Sequence, residues 1–588
     1  MNQTAAVHAG DRSAAPPMQN ATRYLCTGAY IDSRFRARVL DELLGDRHRA
    51  VAPSYGGTDL VPMIAHALRA ERMALVRDGL ITVLAAIGCL VLPWLFVPWL
   101  LTLLPFALLT LPRIRYGSPL VRVLTMCWAA ASVLFVLLTA LSTAVAFVAE
   151  TSSYDSFDYA TGRLVRRSAL GELMESWLLL TLLFALAPLA VSLAHRVRCY
   201  LALAVDLAPG ADGGRPKEND GHSARMAYLS RAQWGNIALY GAENPFVGAG
   251  RVRRSWSIVV EMDRTKDGSN APSPAPREHV RIDPVDLHAF VRQRLLEMRD
   301  AVPSPSERLG RLHISDHLAV RGTFTRLDWE RSAASRSWGG QSHPLIDPSS
   351  GLPHFAAPAE TVAAAIRHPQ SGLRYYQRVT VGAEAPEVRS PAGHLLAPGE
   401  DQEIVVSAFI HLAVEGRMLY TRFVVTTLPP IRDEYHVVDE LPVLGKAETV
   451  WRALTAARKE LVADTLFAPA RLMRTVVRMV RANRAAQNPA DHPVYPFGAR
   501  RSVREMGAEA GADRFTQVLD TDKYTKLIER RLTDAVLDYL DARHVDTSGY
   551  RAQAANLTNF GALITGGTFN GPVAAGTGAS ATQHGEGR

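Results

Sequence analysis

Between Gly79 and Ala194 the chain carries three long runs without a charged residue, Gly79 to Leu111, Val123 to Ala149 and Trp177 to Ala194, separated by two short polar loops. Each is long enough to meet a hydrocarbon layer of about 30 Å, so the block reads as an α-helical membrane domain. The first run, at 1.5 Å per helical residue, would extend to about 50 Å, too long for one ordinary pass. It is expected to fold back, with Pro93, Pro98 and Pro105 breaking the helix and Trp94 and Trp99 near the midpoint. That gives about four passes, or three plus a re-entrant hairpin. Pro188, in the third run, reads as a tolerated kink.

Ahead of the block, 1–20 is polar and reads as disordered, and 21–78 reads as a small helical segment. Ile31, Phe35, Val39, Leu40, Leu43 and Leu44 recur at helical spacing behind Asp32, predicting a capped helix over Ser33 to Leu44. A second helix is expected from Asp59. After the membrane domain (79–208) comes a Gly/Asp/Pro linker, 209–223, and then a mixed α+β domain, 224–445. Strands are predicted at Asn236 to Tyr240, Ser255 to Met262, Leu312 to Val320 and Arg378 to Val381. Ile404 to Val414 and Arg417 to Thr427 read as a hairpin turning at Glu415-Gly416. Asp283-Pro284, with Asp286 following, predicts a helix with Asp as N-cap and Pro at its first position. Thr265 to Pro276 and Ser332 to Pro358 read as inserted loops. Long helices are expected over 446–548: one from Lys446 to Arg484 bent at Pro469, another from Asp522 to Arg543, with Ala485 to Asp513 a polar connection. A Gly/Ala/Thr-rich tail, 549–588, uncharged from Ala552 to Gly585, ends the sequence.

Charge sets an orientation for the block. Arg113, Arg115 and Arg122 lie between the first two runs, and His195, Arg196 and Arg198 follow the third, whereas Glu150 to Ser176 is acidic on balance. Short Arg-rich loops stay in the cytoplasm, so both ends of the chain are expected there. The whole sequence holds 65 Lys and Arg against 57 Asp and Glu, an excess too diffuse for a nucleic-acid stripe. Cys26, Cys89, Cys127 and Cys199 form no metal or disulfide pattern. The apolar runs hold no Asp, Glu, Lys, Arg or His away from their ends, which argues against a pump or coupled transporter.

Few residues suggest chemistry. His313 and His317 fall on one face of a predicted strand about 13 Å apart, too far to clamp one ion, so no metal site is assigned. Gly248-Ala249-Gly250 lacks the third glycine and the helix of a phosphate loop and reads as a tight turn. No catalytic residue and no cofactor is assigned. Arg471, Arg474, Arg478 and Arg481 share one face of an amphipathic helix, the pattern of a helix lying on anionic lipid. In the tail, Gly567 to Val573 alternates in period two without charge, marking Phe569 and Val573 as candidates for self-assembly through cross-β stacking.

The segment Asn236 to Gly250 resembles part of an uncharacterised family of bacterial multi-pass membrane proteins, which brings no known activity. The tail resembles, over about fifteen residues, the Gly-rich amyloid signalling motifs that end some bacterial and fungal cell-death proteins, a likeness that Pro572, with no N–H, interrupts. The sequence therefore predicts a non-enzymatic protein of the bacterial plasma membrane: a sensor, scaffold or effector with a cytoplasmic interaction domain. Its expected partners are the bilayer, anionic lipids, and a second copy or another protein met through the tail, with no nucleic acid. The alternative is a membrane-tethered enzyme or nucleotide-binding regulator whose site lies near Gly248 to Arg254.

Overall fold

The computed structural model describes residues 18–558 apart from 92, 112–113, 115–117, 152–155, 159–162, 166–176, 210–222, 265–278, 303–307, 326–342, 348, 386, 391–392, 398–399, 458–460, 486–488, 490–491 and 512–513. The chain begins with helices α1 (Asn20–Ile31), α2 (Ser33–Leu44), α3 (Leu60–Val91), α4 (Pro93–Leu109) and α5 (Pro119–Thr151). A strand pair, β1 (Ser156–Asp158) and β2 (Arg163–Val165), precedes α6 (Trp177–Asp206) and α7 (Ser223–Ala232). Then follow β3 (Ile237–Tyr240), β4 (Arg251–Glu261), α8 (Pro284–Asp300), β5 (Leu312–Arg321), β6 (Thr323–Thr325), α9 (Ala359–Arg367) and β7 (Leu373–Ala385). Two short strands, β8 (Val388–Arg389) and β9 (Leu395–Ala397), lead into the long pair β10 (Glu400–Glu415) and β11 (Met418–Leu428). The last elements are α10 (Val437–Glu440), α11 (Lys446–Ala457), α12 (Leu461–Leu466), α13 (Ala468–Ala485), β12 (Val494–Pro496), α14 (Val503–Met506), α15 (Phe515–Asp541) and α16 (Ser548–Thr558).

Two compact units emerge. The first combines Met1–Leu40, Pro62–Lys217 and Glu434–Ala486, and its described residues form helices apart from the short pair β1 and β2 and the connecting turns. Asp32 caps α2, its Oδ1 accepting from the N–H groups of Arg34 (2.8 Å) and Phe35 (3.0 Å). Among the described residues, Leu60–Val91, Pro119–Leu138 and Leu186–Asp206 are long and apolar enough to cross a membrane by length and composition, and Val97–Leu109 is a shorter apolar helix. Their outer faces are bare: Val76, Leu80, Val83, Ile87 and Leu90 form an exposed stripe down α3, and Leu134 to Leu138 are all exposed on α5. The expected break at Pro93 falls where α3 ends and α4 starts. Pro98 and Pro105 do not break the chain as expected; α4 continues through both. Apolar helices tolerate proline when neighbours and local adjustments satisfy the freed carbonyls, and α4 packs on α5, α6 and α12.

The stretch read as one bent helix from Lys446 to Arg484 is three helices, α11, α12 and α13. Pro469 stands at the second position of α13, where its missing N–H costs no hydrogen bond, so it starts a helix rather than bending one. These helices return to the apolar ones: α11 packs along α6, and α12 against α4 and α6.

The second unit combines Asp41–Val61, Glu218–Asp433 and Gln487–Arg588 around a six-stranded sheet of order β3-β5-β7-β10-β11-β4. Only the β3 and β5 pair is parallel. The predicted hairpin is β10 and β11, but its turn falls one residue later than expected: Glu415 pairs with Met418, and Gly416 and Arg417, at φ 54° and 67°, close it in the positive-φ geometry that matches strand twist. Asp283 caps α8 by accepting from the Val285 N–H at 2.9 Å, with Pro284 first in the helix. Alternation places Val406, Ala408, Ile410 and Leu412 of β10 in a core with Leu287, Val291 and Leu295 of α8 and Ile528, Leu532 and Val536 of α15. Val405 and Phe409, on the opposite face, pack with Tyr55, Phe246 and Leu428. The free edge of β4 is held by α16: Gln553 accepts from the Val259 N–H (3.3 Å) and donates to its carbonyl (2.8 Å), standing in for a neighbouring strand. The polar connection expected over Ala485 to Asp513 instead holds β12, paired with β6, and α14, with Phe497 and Val503 buried. Thr265 to Pro276 lies outside the described residues.

Candidate functional site

Where the apolar run of α3 starts, the helix carries Glu71, Arg77 and Asp78, all buried. Glu71 takes Arg36 of α2 on one oxygen (2.7 Å) and Arg478 of α13 on the other. Asp78 accepts from Arg77 (2.9 Å) and, through both oxygens, from Arg471 of α13 (2.8 and 3.2 Å). Asp464 of α12 is approached by three guanidiniums: Arg196 of α6 at 3.2 Å, Arg471 at 3.5 Å and Arg77 at 3.6 Å. Beside them the Ser192 and Thr465 hydroxyls meet at 3.3 Å, and Cys199 Sγ lies 3.7 Å from His195 Nε2. Charges this far from water persist because each is paired, and removing one partner strands the other.

The four arginines expected on a lipid surface separate into two pairs. Arg471 and Arg478 point inward to Asp78 and Glu71, while Arg474 and Arg481 are exposed. The apolar side of the same helix, Met473, Val476, Val477 and Val480, is exposed as well. Phe569 and Val573 lie outside the described residues.

In the second unit the loop at Gly248-Ala249-Gly250 is a tight turn, with φ of 98° and 89° at the two glycines. Their N–H groups converge as they would on a phosphate, but both donate to Glu505 Oε1 at 2.9 Å. Burial pushes the Glu505 carboxyl above its usual range, against these two donors that pull it down. An internal carboxylate thus holds the ground that the nucleotide reading needs. Glu505 was invisible as a partner in the sequence, since nothing in its spacing links it to a loop more than 250 residues away.

His313 is exposed and His317 buried, its Nε2 3.0 Å from the Pro245 carbonyl among the rings of Phe246, Tyr376 and Phe409. Burial lowers the His317 pKa to about 3, and that of the equally buried His288 to about 3. Both are neutral packing groups. Among the described residues no group of three or more His, Cys, Asp or Glu side chains could hold a metal ion.

Fold and site define a two-part chain: an apolar helical unit locked by an arginine–carboxylate cluster, and an α+β unit whose glycine loop is filled from within. Residues 255–570 match the AbeC-like domain, more than half of the sequence, and the chain belongs to that uncharacterised family. The matched region takes in Asp464, Arg471 and Arg478 of the cluster; Glu71, Asp78 and Arg196 lie before it. No curated protein and no solved structure matches the chain.

Proposed function

We propose that this is an integral protein of the bacterial plasma membrane with no enzymatic activity of its own, a sensor, scaffold or effector that holds a cytoplasmic α+β interaction domain at the bilayer. The observation that carries the reading is the common level of the charges. The apolar run of α3 starts after Asp78 and that of α6 ends before His195, and side chains from these two ends meet on α12 through Arg77, Arg196 and Asp464. Bare apolar stripes on one side of a charged belt are what a helix bundle presents at a bilayer boundary. In water the same stripes would be an aggregation liability. In this reading α3 to α6 make the passes, both chain ends are cytoplasmic, anionic lipid meets the arginines of the belt, and the uncharged tail with Phe569 and Val573 supplies a self-assembly or partner segment.

Reporter fusions and an alkaline wash test it. Alkaline phosphatase should be active when fused within 152–176 and inactive at either chain end, and the full chain should stay in the pellet after carbonate extraction. Activity at the chain ends, or release of the chain by carbonate, would refute the reading.

A further inference from the structure

The edge of the six-stranded sheet at β4 is only partly closed. Gln553 of α16 takes both the N–H and the C=O of Val259, so Val259 turns these groups away from β11. Along an unbroken register, with Val259 opposite Tyr420, Ser257 opposite Arg422 and Ser255 opposite Val424, alternation turns those of Ser257 and Ser255 the same way. Both serines are exposed, and among the described residues nothing is hydrogen-bonded to their outward backbone groups. Beyond Ser255 the edge is guarded: the register shifts, and Arg251 and Arg253 are exposed there. Two uncharged rungs are left open between α16 and that guarded end.

The path of the chain leads to these rungs. Past α15, Val545 bridges Arg264 in the antiparallel sense, and the Asp546 N–H donates to the Asp263 carbonyl at 2.9 Å. Gly549 then lies beside Val260 and Gln553 on Val259, so the chain runs down β4 against its direction. From Gln553 to the end of α16 at Thr558 the helix rises about 7.5 Å, and Val259 to Ser257 along the strand is about 7 Å. The helix therefore ends level with the first open rung. Shortly after it, outside the described residues, the sequence reads Phe560-Gly561-Ala562-Leu563-Ile564-Thr565, apolar, uncharged and free of proline. The AbeC-like match begins at Ser255 and ends at Asn570, so it takes in both the open rungs and this segment. A second copy fits the edge badly. An antiparallel β4 from another chain, centred on the same two serines, would set its Arg253 against Val259, where α16 already stands.

We infer that residues 560–565 pair antiparallel with β4 at Ser257 and Ser255, a seventh strand supplied by the chain itself. Occupancy in this way removes an open sheet edge and an uncharged apolar segment from contact with other chains at one stroke. The inference rests on neither the membrane reading nor self-assembly through Phe569 and Val573, which lie beyond the paired segment.

Hydrogen–deuterium exchange of the full chain in neutral detergent, resolved to single amides within 251–261, tests it. The Ser255 and Ser257 amides should exchange at least about tenfold slower than unprotected amides of the same sequence. Ala562→Pro combined with Leu563→Pro removes a rung donor whichever of the two faces β4, and should abolish that slowing. Thr577→Pro, beyond the paired segment, should leave it unchanged. Fast exchange at both serines in the wild type, or slow exchange that survives the double substitution, overturns the inference. Slowing that fades on about tenfold dilution overturns it as well, because the edge is then filled by another chain. Exchange across β10 and β11 reports whether the proline variant keeps its sheet. Should it not, disulfide trapping decides. Ser257→Cys, combined in turn with Phe560→Cys, Gly561→Cys and Ala562→Cys, should form a bridge within one chain in at least one pair, and no bridge, or bridges only between chains, overturns the inference equally.

Discussion

Replacing Glu505 by alanine isolates the contact that closes the glycine loop. Its Oε1 is the acceptor for two backbone donors, Gly248 N–H and Gly250 N–H, each at 2.9 Å. Gly248 is buried and Gly250 half-buried. A buried donor without an acceptor costs about 1–3 kcal/mol, and water can partly serve Gly250, so Glu505→Ala should lose about 2–4 kcal/mol. Glu505→Gln keeps an acceptor oxygen and sheds a desolvated charge, so it should stay within about 1 kcal/mol of wild type at neutral pH. The charge adds a pH signature. Because the folded carboxyl titrates above its unfolded value, its ionisation opposes folding, and the group's contribution to stability falls as pH rises through the shifted pKa. Glu505→Gln should therefore gain on wild type between pH 4 and pH 8, and the two should converge at the acid end. Urea unfolding of the full chain at several pH values reads both effects, with a midpoint loss for Glu505→Ala of roughly 5–12 °C in the companion thermal scan. Equal damage from alanine and glutamine at neutral pH would refute the reasoning. It would mean that the loop needs an anion rather than an acceptor, and the nucleotide reading of Gly248 to Arg254 would regain its footing.

Further expectations follow from the same geometry. Glu71→Ala should cost about 3–5 kcal/mol, because it leaves the buried Arg36 without its carboxylate, and a double-mutant cycle with Arg478→Ala should show coupling between them. Gly250→Ala should be far worse than Gly416→Ala: a Cβ at Gly250, φ 89°, would come within 2.2 Å of the Thr427 carbonyl oxygen, whereas Gly416, φ 54°, has nothing within 4 Å and should lose about 1 kcal/mol by denaturant melt. Acid should weaken the α+β unit early. His317 and His288 stay neutral in the fold down to about pH 3 while their unfolded forms take up protons below about 6.5, so each should remove about 2 kcal/mol between pH 7 and pH 5, and His317→Gln should flatten that slope.

Local signals in the sequence survive into the structure where one residue type dictates one backbone. Asp283-Pro284 sets the start of α8, Asp32 that of α2, and Gly416 permits the tight turn between β10 and β11. The lack of charge after Asp78 likewise marks long apolar helices whatever surrounds them. Signals that depend on distant partners were muted. Only Arg378 to Val381 of β7 reads as a strand, because Leu373-Arg374-Tyr375-Tyr376-Gln377 mixes polar and aromatic residues and gains its extended form from β5 alongside. Phe515 to Thr521 has no clean apolar period, and this first part of α15 extends beyond the predicted helix. Pro469 was ambiguous in the same way, since a proline inside an amphipathic pattern signals either a bend or a fresh start, and only packing by α12 decides. Most of the cluster at Asp464 was out of reach because its members come from five helices. One trace was legible: Glu71 and Asp78 are seven residues apart, and so are Arg471 and Arg478.

That matched spacing explains why so many charges are retained beside apolar helices. Buried ion pairs add little net stability over well-packed hydrocarbon, so stability alone does not account for them. They do fix register. The pairs run in opposite order, Arg471 with Asp78 and Arg478 with Glu71, so α13 runs antiparallel to this part of α3. A slip of one residue along α13 turns its arginines by about 100° and breaks both pairs at once. An apolar contact would resist such a slip weakly, because Met473, Val476, Val477 and Val480 would be interchangeable against any greasy neighbour. With the arginines pinned inward, that apolar stripe is forced to the outside, where it is seen exposed. The ladder also joins residues inside the AbeC-like domain to residues before it, so the register it sets is that of the family domain on this chain's own apolar helices.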